Sequence, residues 1–322
     1  MWYYCYYHHI ITRPHTNKIS GSQFIILGHP GILNMKSVVV TGTSTGIGRA
    51  CALRLDKMGY RVFGSVRKQS DAESLQAAAS ERFTPIIMDT TEVKTVAAVT
   101  KEIAAITGHR LDGLVNNAGI AIAGPLEFMP TAALHRSLEI NLIAHVRVTQ
   151  ALMPLLRKAR GRIVNISSVS GRIAAPFLGP YAASKFGLEA ISDALRVELS
   201  EWGMFVSVIQ PGATRSAIWD KSIDQTKKML EELPQQADEY YGEAIRATFD
   251  FVQNKSAKSR VSPELVVDAV IHALTAKKPK TRYRIGPQSK VADLIARFLP
   301  DRLRDYLILR QRGNSNSRQF SP

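Results

Sequence analysis

From residue 35 onward, short runs of β-branched residues alternate with longer stretches of helical period, and few folds accommodate that alternation. The runs read as strands at 37–41, 61–66, 84–89, 111–117, 161–167, 205–210 and 282–286. They are apolar at consecutive positions, as in "SVVVT", as a parallel sheet covered by helices on both faces requires. Helical patterns fill the intervals at about 46–58, 71–80, 92–107, 131–158 and 180–201, and a further helix reads at 263–277. About seven strands joined by right-handed crossovers predict a doubly wound, mostly parallel α/β sheet with helices on both faces. It forms one domain over 35–286.

The flanking segments differ in character. The first 34 residues hold four of the ten Tyr and four of the eight His, with no acidic residue and no sustained period. Met35 then leads directly into the first strand, so residues 1–34 are expected to be a misassigned start or a disordered extension. The pair His8–His9 has no third ligand nearby, and no metal is expected. At the other end, residues 287–322 read as a basic helix and tail. Residues 277–322 carry twelve Lys or Arg against Asp293, Asp301 and Asp305, which accounts for most of the net charge of +15. The bulk of the chain is near neutral, so nucleic acid is not an expected partner. Two cysteines, Cys5 and Cys51, exclude a disulfide framework and fit a reducing, cytoplasmic setting. No run of 18 apolar residues predicts a membrane span.

Two stretches carry chemistry. In "VVVTGTSTGIGRACALRL", Gly42, Gly46 and Gly48 lie between a strand and a helix. Glycines there allow a tight turn and close backbone approach to phosphate, and the helix N-terminus offers N–H groups and a positive dipole end. The second strand ends on Val66, then Arg67 and Lys68, where an acidic residue would select a ribose hydroxyl. A guanidinium at Arg67 suits a 2′-phosphate, so NADP(H) is expected over NAD(H). In "PYAASKFGLEA", Tyr181 and Lys185 are spaced to share one helix face. That spacing alone does not separate a catalytic pair from two polar neighbours.

Together these motifs resemble the short-chain dehydrogenase/reductase family over roughly 35–286. "TGTSTGIG" (41–48), "NNAG" (116–119), Asn141, "NISSVSG" (165–171), "YAASK" (181–185) and "QPG" (210–212) occur in that family's order, with Ser168 thirteen residues before Tyr181. The resemblance implies a Rossmann-type fold and a catalytic set of Asn141, Ser168, Tyr181 and Lys185. Tyr181 would be the general acid/base, its phenol lowered by the charge of Lys185. Ser168 would hold the substrate oxygen. Asn141 would position a water leading from Lys185 to solvent. The cofactor set it implies is Gly42, Thr43, Ser44, Gly46, Ile47, Gly48, Arg67, Asp89, Asn116, Ala118, Gly119, Tyr181, Lys185, Pro211, Gly212 and Ser216. Ser216 stands where the family often has Thr. His109, His135, His145 and His272 are scattered without metal spacing.

Within the family the chain looks most like the hydroxysteroid and retinol dehydrogenase-like branch. That implies a lipophilic alcohol or ketone as substrate, interconverted by an NADP(H)-dependent oxidoreductase, and a homo-oligomer. Ile173, Ala174, Ala175, Pro176, Phe177 and Leu178 offer an apolar wall. Ile218, Trp219 and Met229 are placed to face it from a lid at about 213–262. The C-terminal piece reads either as a helix packed over the active site or as a basic amphipathic helix on a membrane surface. An idle dinucleotide-sensing or scaffold protein is the alternative, though a sensor needs only the glycine turn.

Overall fold

The computed structural model describes residues 35–213, Thr226, 230–257 and 261–310 of the chain. The expected extension at 1–34, Ser216, and the lid residues Ile218, Trp219 and Met229 lie outside the described residues.

Seven strands form one sheet in the order β3-β2-β1-β4-β5-β6-β7. They are β1 (Ser37–Val40), β2 (Arg61–Val66), β3 (Phe83–Ile87), β4 (Gly113–Asn116), β5 (Arg162–Ile166), β6 (Phe205–Pro211) and β7 (Arg282–Ile285). All six pairings are parallel. The expected strand at 111–117 is shorter at its start, because the Leu111 and Asp112 amides bond Leu155 and Ser37 carbonyls outside the β4 ladder.

The helices that cross between strands cover both faces. Val38, Val40, Val115 and Val164 pack one face against Cys51 and Leu55 of α1 (Gly46–Lys57) and Val266 and Val270 of the helix at Pro263–Thr275. Val39, Phe63, Leu114 and Ile163 pack the other against Ile103 of α3 (Val93–Thr107) and Leu152 and Leu156 of α5 (Ala144–Ala159). With both faces buried, β1 has no polar alternation, and all four of its residues are inaccessible. The short α2 (Gln69–Gln76) links β2 and β3.

The expected helix at 131–158 is interrupted. It comprises α4 (Thr131–Leu138), a π-helical turn at Glu139–Ile143, and α5. Such a turn inserts one residue and redirects the side chains around it. Here it carries Asn141, whose side chain is drawn inward to the backbone of Ile120. After β5 comes α6 (Gly179–Glu198), then β6, α7 (Gln235–Ala257), α8 (Pro263–Thr275), β7, α9 (Pro287–Phe298) and α10 (Asp301–Arg310). The strand order reverses between β1 and β4, and a crevice opens there at the carboxyl ends of the strands.

Candidate active site

A cavity of about 1450 Å³ occupies that crevice and runs on to the C-terminal helices. Its first part is the turn after β1. Gly42 and Gly46 have φ of +69° and +60°, a region that strains other residues. A Cβ on Gly42 would stand 2.8 Å from the Ala118 Cα, and one on Gly48 would overlap the Gly42 carbonyl oxygen. The turn is therefore packed backbone to backbone against the end of β4. The Thr41 hydroxyl fixes that contact by accepting from the amides of Asn117 (2.9 Å) and Ala118 (3.0 Å). Ser44, Gly46 and Ile47 line the cavity at the start of α1, where first-turn amides have no helical partners.

Arg67 lines the cavity just beyond β2, facing Asp89 beyond β3. Burial pushes the Asp89 carboxyl up, but bonds from the Thr91 hydroxyl (2.7 Å) and amide (2.9 Å), with the charge of Arg67, hold it below its ordinary value. Ala118, Gly119, Pro211 and Gly212 also line the cavity. These observations fit a nicotinamide dinucleotide: a cradle that a Cβ would fill, a helix N-terminus, and a cation at the second strand.

Three expected cofactor residues do not line the cavity. The Thr43 hydroxyl turns away and donates to the Ser65 carbonyl at 3.0 Å, so Thr43 locks the turn to β2. Gly48 does not line the cavity; it permits the α1 contact with Gly42. Asn116 is wholly buried beneath α5 and α6, where its amide donates to Thr149 (3.0 Å) and Asn165 (2.9 Å). Because strand side chains alternate, its neighbour Asn117 reaches the cavity instead.

The reacting residues meet at the ends of β5 and α6. Ser168 follows β5, and its hydroxyl accepts from the Ser170 amide at 3.1 Å, so the side chain is held by the turn it begins. The phenol of Tyr181 is hydrogen-bonded to Ser168. One helical turn on, Lys185 Nζ donates to the Ile166 carbonyl at 2.9 Å and lies 5.7 Å from the Tyr181 ring centroid. All three side chains are buried and line the cavity. Burial lowers Lys185 to about 8, with Glu189 partly opposing the shift.

Burial raises the Tyr181 phenol, and the Ser168 hydrogen bond pulls against it. Lys185 Nζ stands by the ring, and burial favours the protonated phenol. Asn141, in turn, does not line the cavity. Its carbonyl oxygen accepts from the Ile120 amide (2.9 Å), and its amide donates to the Ile120 carbonyl (2.9 Å) and the Ser184 hydroxyl (3.0 Å). The side chain so committed pins the loop after β4 to α6.

The sequence marked His145 only as one of four scattered histidines without metal spacing. It is buried beside this site, with Nε2 2.7 Å from the Ala118 carbonyl. Burial first, then the charge of Lys185, depress its imidazolium to about 3, so it is neutral. The signal was its position one turn after Asn141 on the helix expected at 131–158. No cluster of metal ligands occurs among the described residues.

The far part of the cavity is lined by apolar side chains. Ile173, Ala175 and Leu178 contribute from the loop after β5, but Ala174, Pro176 and Phe177 do not. Val291, Ala292 and Ile295 of α9 and Leu307 and Ile308 of α10 complete the lining, so the C-terminal helices pack over the site. Asp293 of α9 anchors them, pairing with Arg172 (3.1 Å), Arg284 (2.8 Å) and Arg297 (3.0 Å).

The comparisons agree with this geometry. The family model for short chain dehydrogenase matches residues 36–258. Retinol dehydrogenase 5 of Mus musculus is 41% identical over 277 residues, covering 84% of this chain and 87% of that protein. The 17-beta-hydroxysteroid dehydrogenase type 6 of Homo sapiens is 36% identical over 283 residues, covering 86% and 89%. Among solved structures, a short-chain dehydrogenase from Streptomyces avermitilis superimposes with a TM-score of 0.67 at 27% identity, covering 81% of this chain and 91% of its own. An actinorhodin polyketide ketoreductase solved with NADPH shares the fold, with a TM-score of 0.64 at 24% identity over 78% of this chain and 95% of its own. The chain is an oxidoreductase and belongs to the short-chain dehydrogenase family.

Proposed function

We propose that this protein interconverts a lipophilic alcohol and the corresponding carbonyl compound with NADP(H). The observation that carries the reading is the Tyr181–Ser168 hydrogen bond beside Lys185, at the point where the glycine-lined and apolar parts of one cavity meet. The relatives named for retinol and 17-beta-hydroxysteroid dehydrogenation, each matched over more than four fifths of this chain, support a steroid- or retinoid-like substrate.

The bound nicotinamide would supply or accept a hydride. Gly42, Ser44, Gly46 and Ile47 would hold its pyrophosphate, with Gly48 and Thr43 shaping the turn. Asp89 would take the adenine amino group, Arg67 the 2′-phosphate, and Ala118 and Gly119 the adenosine face. Pro211 and Gly212 would abut the ring, and the family resemblance assigns the carboxamide to Ser216. Among the described residues Lys185 has one protein acceptor, the Ile166 carbonyl, leaving its remaining N–H groups for the ribose.

Ser168 would donate to the substrate oxygen and stabilise the charge that develops there. Tyr181, held protonated by burial, would give its proton to that oxygen in the reducing direction and take it back in oxidation. Asn141 is a positioning residue, keeping Ile120 and α6 at a fixed distance. The apolar far wall would exclude water and orient the carbon skeleton. The segment about 213–262 would act as a lid; Tyr241 of α7 donates to Glu127 at 2.6 Å and meets Phe128 and Phe177 edge-on.

Peripheral contact with a membrane surface is supported by Val291, Leu294 and Phe298, which are 52%, 56% and 74% exposed on α9 beside Arg297. No described helix is long and apolar enough to cross a membrane. Co-sedimentation with anionic vesicles should fall when Leu294 and Phe298 become Ser; unchanged binding removes this contact.

The deciding assay is turnover of a panel of steroid, retinoid and long-chain alcohols and ketones. Tyr181→Phe should lower kcat by roughly 10²–10⁴-fold while cofactor affinity holds. Dinucleotide binding without turnover of any compound would favour a sensing or scaffold role.

A further inference from the structure

Between α6 and the last three strands lies a polar seam that the proposed reaction does not use. Asn165, Ser167, Gln210 and Arg282 project into it from β5 to β7, and Lys185, Glu189, Ser192 and Asp193 face it from α6. Ser167 and Gln210 are cross-strand neighbours, since the register pairs Ile166 with Ile209 and the Ser167 amide bonds the Ile209 carbonyl at 2.8 Å. Glu189 is 5% exposed. Its Oε2 accepts from Arg282 Nε at 2.8 Å, and Arg282 also donates to Asp193 at 2.6 Å.

Several buried atoms in the seam have no partner among the described residues: Glu189 Oε1, Ser167 Oγ, and both amide atoms of Gln210. Gly171 packs closely against two of these side chains. A Cβ there would stand 2.8 Å from Ser167 Oγ, 3.0 Å from Glu189 Cγ and 3.1 Å from the Lys185 carbonyl oxygen. The Glu189 carboxylate sits one helical turn from Lys185, inside the protein, where charges are screened little.

We propose that Glu189 is a positioning residue whose buried carboxylate, one helical turn from Lys185, holds that side chain as an ammonium. The inference deepens the proposed reaction, because the charge of Lys185 matters there to the ribose and to Tyr181. Burial works against that charge and Glu189 works for it. The other charged or titratable groups around the seam are Tyr181, Asp193 and its partner Arg196 on α6, Arg282 and Arg284 on β7, Arg172 beside Gly171, Asp293 on α9, and His145 on α5. Of the acids, Asp193 is bonded to two arginines and Asp293 to three. Glu189 shares one arginine with Asp193 and keeps an oxygen uncommitted.

The test is the titration of Lys185 in the full chain, followed by carbon-13 NMR of labelled lysine, with the signal assigned through Lys185→Met. In Glu189→Gln the midpoint should move down from its place near 8 by about one unit or more. Glu189→Asp should restore most of the shift. Arg282→Gln removes a neighbouring cation and frees the carboxylate, so the midpoint should move up; this variant serves also if Glu189→Gln fails to fold. The basic limb of the kcat/KM profile should follow the same order. An unchanged midpoint in folded Glu189→Gln, or an unchanged or lowered one in Arg282→Gln, overturns the proposal. Because the titration needs no substrate, its outcome stands apart from any failure of the proposed reaction.

Discussion

At one end of the cavity the wall is backbone, and at the other it is side chain. Around Gly42 and Gly48 the main chain of the turn lies against the Gly42 carbonyl, Ala118 and Asn117, with no room for a methyl group. Around Ile173, Leu178, Val291, Ile295 and Leu307 the wall is made of apolar side chains from three separate segments. A backbone wall fits one molecular shape and resists change, whereas a side-chain wall can be recut by single substitutions. The first kind suits an invariant cofactor and the second a variable substrate.

That contrast can be broken experimentally. The largest effect is expected at the backbone wall. Gly48→Ala forces a methyl group against the Gly42 carbonyl, which cannot rotate away. Overpacking of this kind costs about 1–3 kcal/mol, so cofactor affinity measured by fluorescence titration should fall roughly five- to 150-fold. An unchanged affinity would mean that the turn is looser than its contacts imply.

The second prediction concerns the support behind that wall, where His145 is bonded to the Ala118 carbonyl. The folded protein binds a proton on His145 only near about 3, against 6.5 for an ordinary histidine. The unfolded chain therefore binds more protons below about pH 6.5, and stability is whole above that pH and lost as pH falls toward about 3. Roughly 2 kcal/mol should be lost at about pH 5, and His145→Gln should flatten this part of the curve in urea melts.

Arg67→Ala should cost about 1.5 kcal/mol of NADPH affinity, near tenfold, and leave NADH nearly unchanged, since one charge-assisted bond is removed at an exposed site. Equal losses for both cofactors would assign Arg67 to general cofactor binding. The smallest effect is expected at the side-chain wall. Ile295→Ala should raise KM for a lipophilic substrate about fivefold, with cofactor affinity intact. A loss of cofactor affinity there would erase the distinction between the two ends.

The same contrast explains what could be read from the residues. The central strands and the glycine turn were legible because burial on both faces demands "SVVV"-like runs and because backbone contact demands glycine. Asn116 and Asn117 were not separable, since "NN" does not say which one points to the cavity until the strand's alternation is fixed by its neighbours. The π-helical turn at Glu139–Ile143 was illegible for a similar reason: its cause is a tertiary bond from Asn141 to Ile120. The helical spacing in "KVADLIARFLPDRLRDYLIL" gave an apolar face on α9 and α10 but no partner for it, and the structure places part of that face in the cavity. Tyr181 and Lys185 were legible as a pair, but their electrostatics were not. Burial, which no spacing reports, raises the phenol that the lysine was expected to lower.

The most direct test of the central claim is single-turnover reduction of a lipophilic ketone by stoichiometric NADPH or NADH, in wild type and in Tyr181→Phe. The account predicts rapid product formation with NADPH, slower formation with NADH, and almost none in Tyr181→Phe although that variant still binds NADPH. Turnover by Tyr181→Phe at the wild-type rate would contradict the assignment of Tyr181 as the proton donor.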